Sequence, residues 1–234
     1  MDAPPGRVPR AVLFDAYGTL FDVYSVGVAV ERRFPGLGER IGILWRDKQI
    51  EYTRLTSMSG RTRSFGDCTR AGLRYATERF GVALDEAAEH ELMTAYERLA
   101  PFAENRAVLV ELQLRGVRAG ILSNGDPGML AAVVRHAGFA GLVDPVLSVE
   151  GTGRFKTDPA TYALGTRALG LAAGDVLFVS SNCWDAIGAT WFGYTTLWVN
   201  RFGLPLDDLG AQPTRIGTRL DDVYSFFPSQ GPAS

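Results

Sequence analysis

Four short runs, apolar almost throughout, constrain this chain more than any other feature. Ala11 to Phe14 reads Ala-Val-Leu-Phe and stops at Asp15, with Gly18 close behind. Arg118 to Leu122 stops at Ser123-Asn124-Gly125, Val176 to Val179 at Ser180-Ser181-Asn182, and Thr195 to Val199 at Asn200; Val146 to Val149 is a weaker fifth. A strand with one wet face alternates apolar with polar residues, whereas an unalternating run is buried on both faces, as in a parallel sheet covered by helices. Helical patterns separate the runs, over Ala107 to Arg115, Gly128 to His136, Pro159 to Leu169 and Asp185 to Phe192. Strand alternating with helix predicts an α/β fold built on a doubly wound parallel sheet.

The alternation fails between Asp22 and about Pro101. That stretch carries only amphipathic helical patterns, over Tyr24 to Phe34, Ile41 to Met58, Phe65 to Phe80 and Leu84 to Leu99. The expected organisation is a catalytic core from residues 10–21 and 101–227, an all-helical cap at 22–100 inserted after the first strand, and disordered tails at 1–9 and 228–234.

Charge and cysteine content narrow the function. With 24 Lys plus Arg against 26 Asp plus Glu, a formal charge of -2 gives no electrostatic case for nucleic acid or an anionic membrane. Cys68 and Cys183 lie far apart and outside any CxxC spacing, so neither a disulfide framework nor a zinc site is expected. No apolar run approaches the roughly 20 residues of a membrane span, and Met1 to Arg10 lacks a signal-peptide core. A cytoplasmic location is the expectation.

In open α/β sheets, ligands bind at the carboxyl ends of the strands. The polar residues that end the apolar runs or follow them are Asp15, Thr19, Ser123, Asn124, Lys156, Ser180, Asn182 and Asp185. Any one of them also reads as a helix cap or turn residue. Together they supply a carboxylate, a hydroxyl donor, a lysine and a second carboxylate, the components of nucleophilic catalysis with a charge-balancing cation.

These residues resemble a known family. Phe14-Asp15-Ala16-Tyr17-Gly18-Thr19-Leu20-Phe21-Asp22 resembles the first motif of the haloacid dehalogenase superfamily, Ser123-Asn124-Gly125 the second, Lys156 the third, and Ser180-Ser181-Asn182 through Asp185 the fourth. Tyr17, the segment Trp45 to Thr53 and the run Ser180-Ser181-Asn182-Cys183-Trp184-Asp185 are similar to the L-2-haloacid dehalogenase branch, over about Arg10 to Phe227. Thr157 departs from the proline that the family pattern places after the lysine.

Phosphatases of this superfamily carry a second Asp two residues after the nucleophile to protonate a leaving alkoxide, and this chain has Tyr17 there. A departing halide is too weak a base to need that acid. Ser180 and Asn182 stand where phosphatases use acidic residues to help hold Mg²⁺, so no metal and no cofactor is expected. The resemblance implies that Asp15 attacks C2 of a short L-2-haloacid, that an aspartyl ester forms, and that water then attacks the ester carbonyl to release an inverted 2-hydroxy acid. It implies that Lys156 balances the carboxylates, that Asp185 with Ser180 and Asn182 positions the water, and that Thr19 supports Asp15. Ser123 would bind the substrate carboxylate, Arg46 and Asn124 the halide, and Tyr17, Ile50, Phe65, Tyr162 and Trp184 would wall an apolar pocket.

Other readings stay open at this level. Arg46, beside Asp47 and Glu51, also reads as a surface residue; Phe65, Tyr162 and Trp184 also read as core. The same site could displace another leaving group, such as the ring nitrogen of azetidine-2-carboxylate, or cleave a phosphate ester. Outside enzymes, the fold could serve as a small-acid binding module. The implied partners are the haloacid, water and halide, with no nucleic acid or membrane; a homodimer rests on resemblance alone.

Overall fold

The structure, a computed structural model, describes residues 8–227. Six parallel strands form one sheet: β1 (Ala11–Phe14), β2 (Arg118–Ser123), β3 (Val146–Ser148), β4 (Val176–Ser180), β5 (Thr195–Val199) and β6 (Arg215–Gly217), in the spatial order β3-β2-β1-β4-β5-β6. The helices are α1 (Gly27–Arg33), α2 (Gly38–Met58), α3 (Phe65–Arg79), α4 (Glu86–Tyr96), α5 (Asn105–Leu114), α6 (Pro127–His136), α7 (Pro159–Leu169) and α8 (Cys183–Phe192). The predicted α/β class and parallel sheet are what the chain forms.

The four apolar runs are central because both their faces are covered. Every residue of β1 and β4 is buried. Phe14 lies level with Ile121 of β2 on one side and Val179 of β4 on the other. Asp15, the next residue, is therefore delivered between the ends of two neighbouring strands, and its N–H still donates to Val179 O at 2.9 Å.

Two elements differ from expectation. β6 has no counterpart in the sequence reading: it is three residues long, pairs only with β5 and keeps Arg215 and Ile216 exposed, so it leaves no apolar run to detect. The first cap pattern opens as a 3-10 turn over Val23–Val26 before α1 begins, with Asp22 accepting from Tyr24 N.

Among the described residues, 22–100 contain helices and turns and no strand of the sheet. The stretch leaves and returns at one place: Phe21 bridges Pro101, and Asp22 N–H donates to Ala100 O at 2.8 Å. Away from this neck, helical and core segments are clasped again, with two of the contacts at the start of α3 and the end of α2. Both carboxylate oxygens of Asp126 accept the N–H groups that open α3, from Phe65 at 2.8 Å and Gly66 at 2.7 Å. Arg154 Nη1 donates to Ser57 O at 2.6 Å, and Phe155 N–H to Ser57 Oγ at 3.1 Å.

The tails expected at 1–9 and 228–234 fall almost wholly outside the described residues, but Pro9 is buried. Among the described residues no helix is long and apolar enough to cross a membrane.

Candidate active site

Asp15 has each carboxylate oxygen committed to a donor. Oδ1 receives Lys156 Nζ at 3.1 Å; Oδ2 receives Thr19 Oγ1 at 3.1 Å and Asn182 Nδ2 at 2.9 Å. The Thr19 hydroxyl is itself oriented by Ser181 N–H, which donates to it at 2.8 Å, so its proton is left for Asp15. The turn from β1 to Thr19 passes through Gly18 at φ +92°, a conformation an L side chain rarely adopts, with Asn182 packed against it.

Lys156 reaches the same point from the segment between β3 and α7. Its ammonium bridges Asp15 and Asp185, donating to Asp185 Oδ2 at 2.9 Å. Asp185, in the first turn of α8, is completely buried, and its other oxygen accepts from Tyr162 OH at 2.8 Å. Burial raises the Asp185 carboxyl to about 6; Lys156 opposes the rise and Asp15 adds to it. On Lys156, burial acts to lower the pKa, but Asp15 and Asp185 outweigh it and hold the ammonium above its ordinary value.

This donor set does not fit a divalent cation. The position between the two carboxylates is filled by an ammonium, and Asn182 turns its amide N–H₂, a donor, toward Asp15. Mg²⁺ needs oxygen lone pairs from about six directions. Among the described residues no group of three or more His, Cys, Asp or Glu side chains is placed to hold a metal ion.

The second motif closes the opposite side. Ser123 Oγ, fully buried at the end of β2, accepts from Gly125 N–H at 3.1 Å and keeps its own proton to donate. Ser180 Oγ does the same at the end of β4, accepting from Asn182 N–H at 3.1 Å. Asn124 Oδ1 accepts the Lys156 backbone N–H at 3.0 Å, anchoring the lysine's segment.

Arg46 comes from α2 and is 7% exposed, so it is no surface residue. Its Nη2 donates to Tyr17 O at 3.1 Å and lies 3.4 Å from Asn182 Oδ1; its Nη1 donates to Gln49 Oε1 at 2.6 Å. Among the described residues it forms no ion pair. Tyr17 packs against Phe65 and Tyr96, with ring centroids 5.0 and 5.6 Å away. It also lies so close over Gly125 that a Cβ there would meet its ring at 2.6 Å.

Of the residues read from sequence, the structure gathers Asp15, Thr19, Lys156, Ser180, Asn182, Asp185 and Arg46 by direct bonds, with Tyr17 and Phe65 alongside. Ile50 is half-buried one helical turn beyond Arg46, and Trp184 is half-buried under the Arg54 guanidinium, 4.9 Å from its ring. Tyr162 needs correcting: it is no pocket wall. It is fully buried against Phe178, Phe192 and Tyr194, and its hydroxyl serves Asp185 from behind. Its ring reads as apolar in a helical pattern, and only the hydroxyl's partner reveals the role. Gln49, Thr69 and Tyr96 were missed; the available signal was that Gln49 follows Arg46 by three positions, on the same face of α2.

The site is shut in this conformation, with Asp15 6% and Lys156 2% exposed. A cavity of about 340 Å³ reaches Lys156 from the seam, lined by Arg54, Ser57, Phe155 and Thr157 among others.

Residues 9–193 match the family of haloacid dehalogenase-like hydrolases. The chain is 44% identical over 218 residues to an (S)-2-haloacid dehalogenase of Pseudomonas sp. (strain YL), covering 93% of this chain and 94% of the relative. It is 41% identical over 204 residues to haloacetate dehalogenase H-2 of Moraxella sp. (strain B), covering 87% and 91%. Among solved structures, the L-2-haloacid dehalogenase RSc1362 superposes with a TM-score of 0.91 at 50% identity, over 94% of this chain and 99% of that one. The L-2-haloacid dehalogenase of Xanthobacter autotrophicus with chloropropionic acid covalently bound superposes with a TM-score of 0.89 at 36% identity, over 95% and 100%.

Proposed function

The chain belongs to the haloacid dehalogenase-like hydrolases, and from that premise we propose that it hydrolyses short L-2-haloacids to 2-hydroxy acids with inversion at C2, through an ester on Asp15. The observation that carries this reading is the Asp15–Lys156–Asp185 triangle, with Tyr17 and not an acid two residues beyond the nucleophile.

In the first step an Asp15 oxygen attacks C2 from the face opposite the halogen; the new C–O bond forms as the carbon–halogen bond breaks, and halide leaves with the bonding pair. Lys156, Thr19 and Asn182 hold the carboxylate in one orientation. The Ser123 hydroxyl and neighbouring backbone N–H groups take the substrate's carboxylate. Arg46 receives the halide, whose charge an apolar wall would not stabilise. In the second step water attacks the Asp15 carbonyl carbon, so the bond from C2 to oxygen survives and the inverted centre passes into the product. Asp185, at about 6, is ionised at neutral pH and accepts the water's proton, with Ser180 and Asn182 positioning the water. Tyr17, Phe65, Ile50 and Trp184 exclude bulk water.

The test is halide release from chloro-, bromo- and fluoroacetate and from both enantiomers of 2-chloropropionate, beside phosphate-ester cleavage, with and without chelator. Chelator-resistant halide release selective for the L enantiomer is expected. Chelator-sensitive phosphate release without halide would overturn the reading, as would ring opening of azetidine-2-carboxylate without halide release. A single turnover in ¹⁸O-water should label the Asp15 carboxylate before the product; label going straight into product would mean that water attacks C2 directly.

A further inference from the structure

Arg46 is a buried cation with no carboxylate partner among the described residues, and the cap surrounds it with a neutral network. Gln49 Oε1 accepts from both Arg46 Nη1, at 2.6 Å, and Tyr96 OH, at 2.8 Å. Gln49 Nε2 donates to Thr69 Oγ1, which donates to Phe65 O at 2.7 Å. Gln49 and Thr69 are fully buried and Tyr96 is 1% exposed. The polarity of this chain is determined throughout. A guanidinium can only donate, so the amide oxygen must face it, and the amide nitrogen is then left for the threonine. Thr69 passes its own proton to the backbone of Phe65, the ring beside Tyr17.

The geometry points to Gln49 as the positioning residue of Arg46: it fixes the guanidinium through a neutral acceptor so that the positive charge stays available to the substrate anion and the departing halide. A carboxylate at position 49 would hold the guanidinium equally well and cancel its charge. A bond to an amide oxygen orients without neutralising, which is what a group that must later meet an anion requires. Tyr96 and Thr69 keep Gln49 from rotating away. This rests on Arg46 acting at the halide.

The test separates orientation from charge. Gln49→Met removes the acceptor at similar volume; Gln49→Glu keeps the acceptor and adds the charge. Single-turnover halide release is read from 2-chloro- and 2-bromopropionate, with Tm recorded for each variant. Gln49→Met should slow release on the order of 10²-fold, the scale of a misplaced catalytic group. Gln49→Glu should slow it about tenfold or more with Tm near the parent's. Both should slow the chloro substrate more than the bromo, because chloride is the poorer leaving group and needs the cation more. Parent-like release in both variants, with Arg46→Lys crippled, would overturn this inference and leave the proposed function standing. Equal slowing of both halogens would overturn it too, since a general loosening of the fold does not distinguish leaving groups. Parent-like release in Arg46→Lys would instead remove the halide role of Arg46. If Gln49→Met fails to fold, Gln49→Glu decides by the same halogen ratio.

Discussion

The two sides of the closed site treat charge in opposite ways. On the core side, three charged groups sit within hydrogen-bond distance, each carboxylate bound to the same ammonium. On the cap side a single guanidinium is met by an amide oxygen, a backbone carbonyl and the Asn182 side chain. The core side is saturated in hydrogen bonds: both carboxylates lean on one ammonium, which holds Asp15 and Asp185 in register and leaves one negative charge in excess. The cap side is deliberately unspent. Under the proposed function the site would hold an anionic nucleophile and also receive an anionic leaving group, and the two arrangements would serve those needs from different parts of the chain.

That contrast can be broken most directly at the nucleophile. Asp15→Ala should lower turnover by on the order of 10⁴-fold or more, measured as steady-state halide release, while circular dichroism stays that of the parent. Retained turnover would mean that the core side is saturated for structural reasons only. Lys156→Met tests the saturation itself. It leaves two buried carboxylates without their cation, so stability should fall by about 3 kcal/mol in urea unfolding, less whatever Asp185 regains by taking up a proton. Turnover should be lost with it. An unchanged midpoint would show that the triangle does not contribute to the fold.

Arg46→Lys comes next. Turnover should fall about 10²- to 10³-fold although charge is preserved, because lysine's shorter, point-like donor cannot reproduce the guanidinium fork that meets Gln49 and Tyr17 O with separate nitrogens. Stability should change far less than in Lys156→Met, and a comparable loss would erase the distinction between the two sides.

The smallest effect is expected at Tyr162→Phe. The hydroxyl's hydrogen bond draws the Asp185 carboxyl down against the burial that raises it, so removing it should raise that pKa further. In the parent, Asp185 must be ionised to accept a proton, so the rate of ester hydrolysis should fall as pH drops through about 6. In the variant this acidic limb should move to higher pH with little change on the plateau. A limb that stays in place would assign it to another group.

The same contrast explains what could be read from the chain. Core-side residues were legible because buried parallel strands leave unalternating apolar runs, and the residues after such runs are brought to one edge by topology. Asp15, Ser180 and Asp185 needed no knowledge of side-chain contacts. The network behind Arg46 was illegible for the converse reason. The buried face of α2 carries Trp45, Arg46, Gln49 and Thr53, so polarity marks as outward a face that lies inward. Tyr162 failed differently: its ring placed it correctly among apolar residues, and its hydroxyl's partner lies on another helix. β6 escaped because an exposed three-residue edge has no pattern to show.

The neck at Phe21 and Pro101 has a consequence for how such a molecule can change over generations. Because the helical excursion departs and rejoins at adjacent points, held by Asp22 N–H on Ala100 O, the strands on either side need not know how long it is or what it contains. Insertions whose ends meet are those that folds tolerate best. Lengthenings and substitutions that leave the contacts of Arg46 in place can therefore reshape the surroundings of the site while β1 still delivers Asp15 to the same spot. The sheet fixes where the carboxylate stands, and the helices fix what stands opposite it.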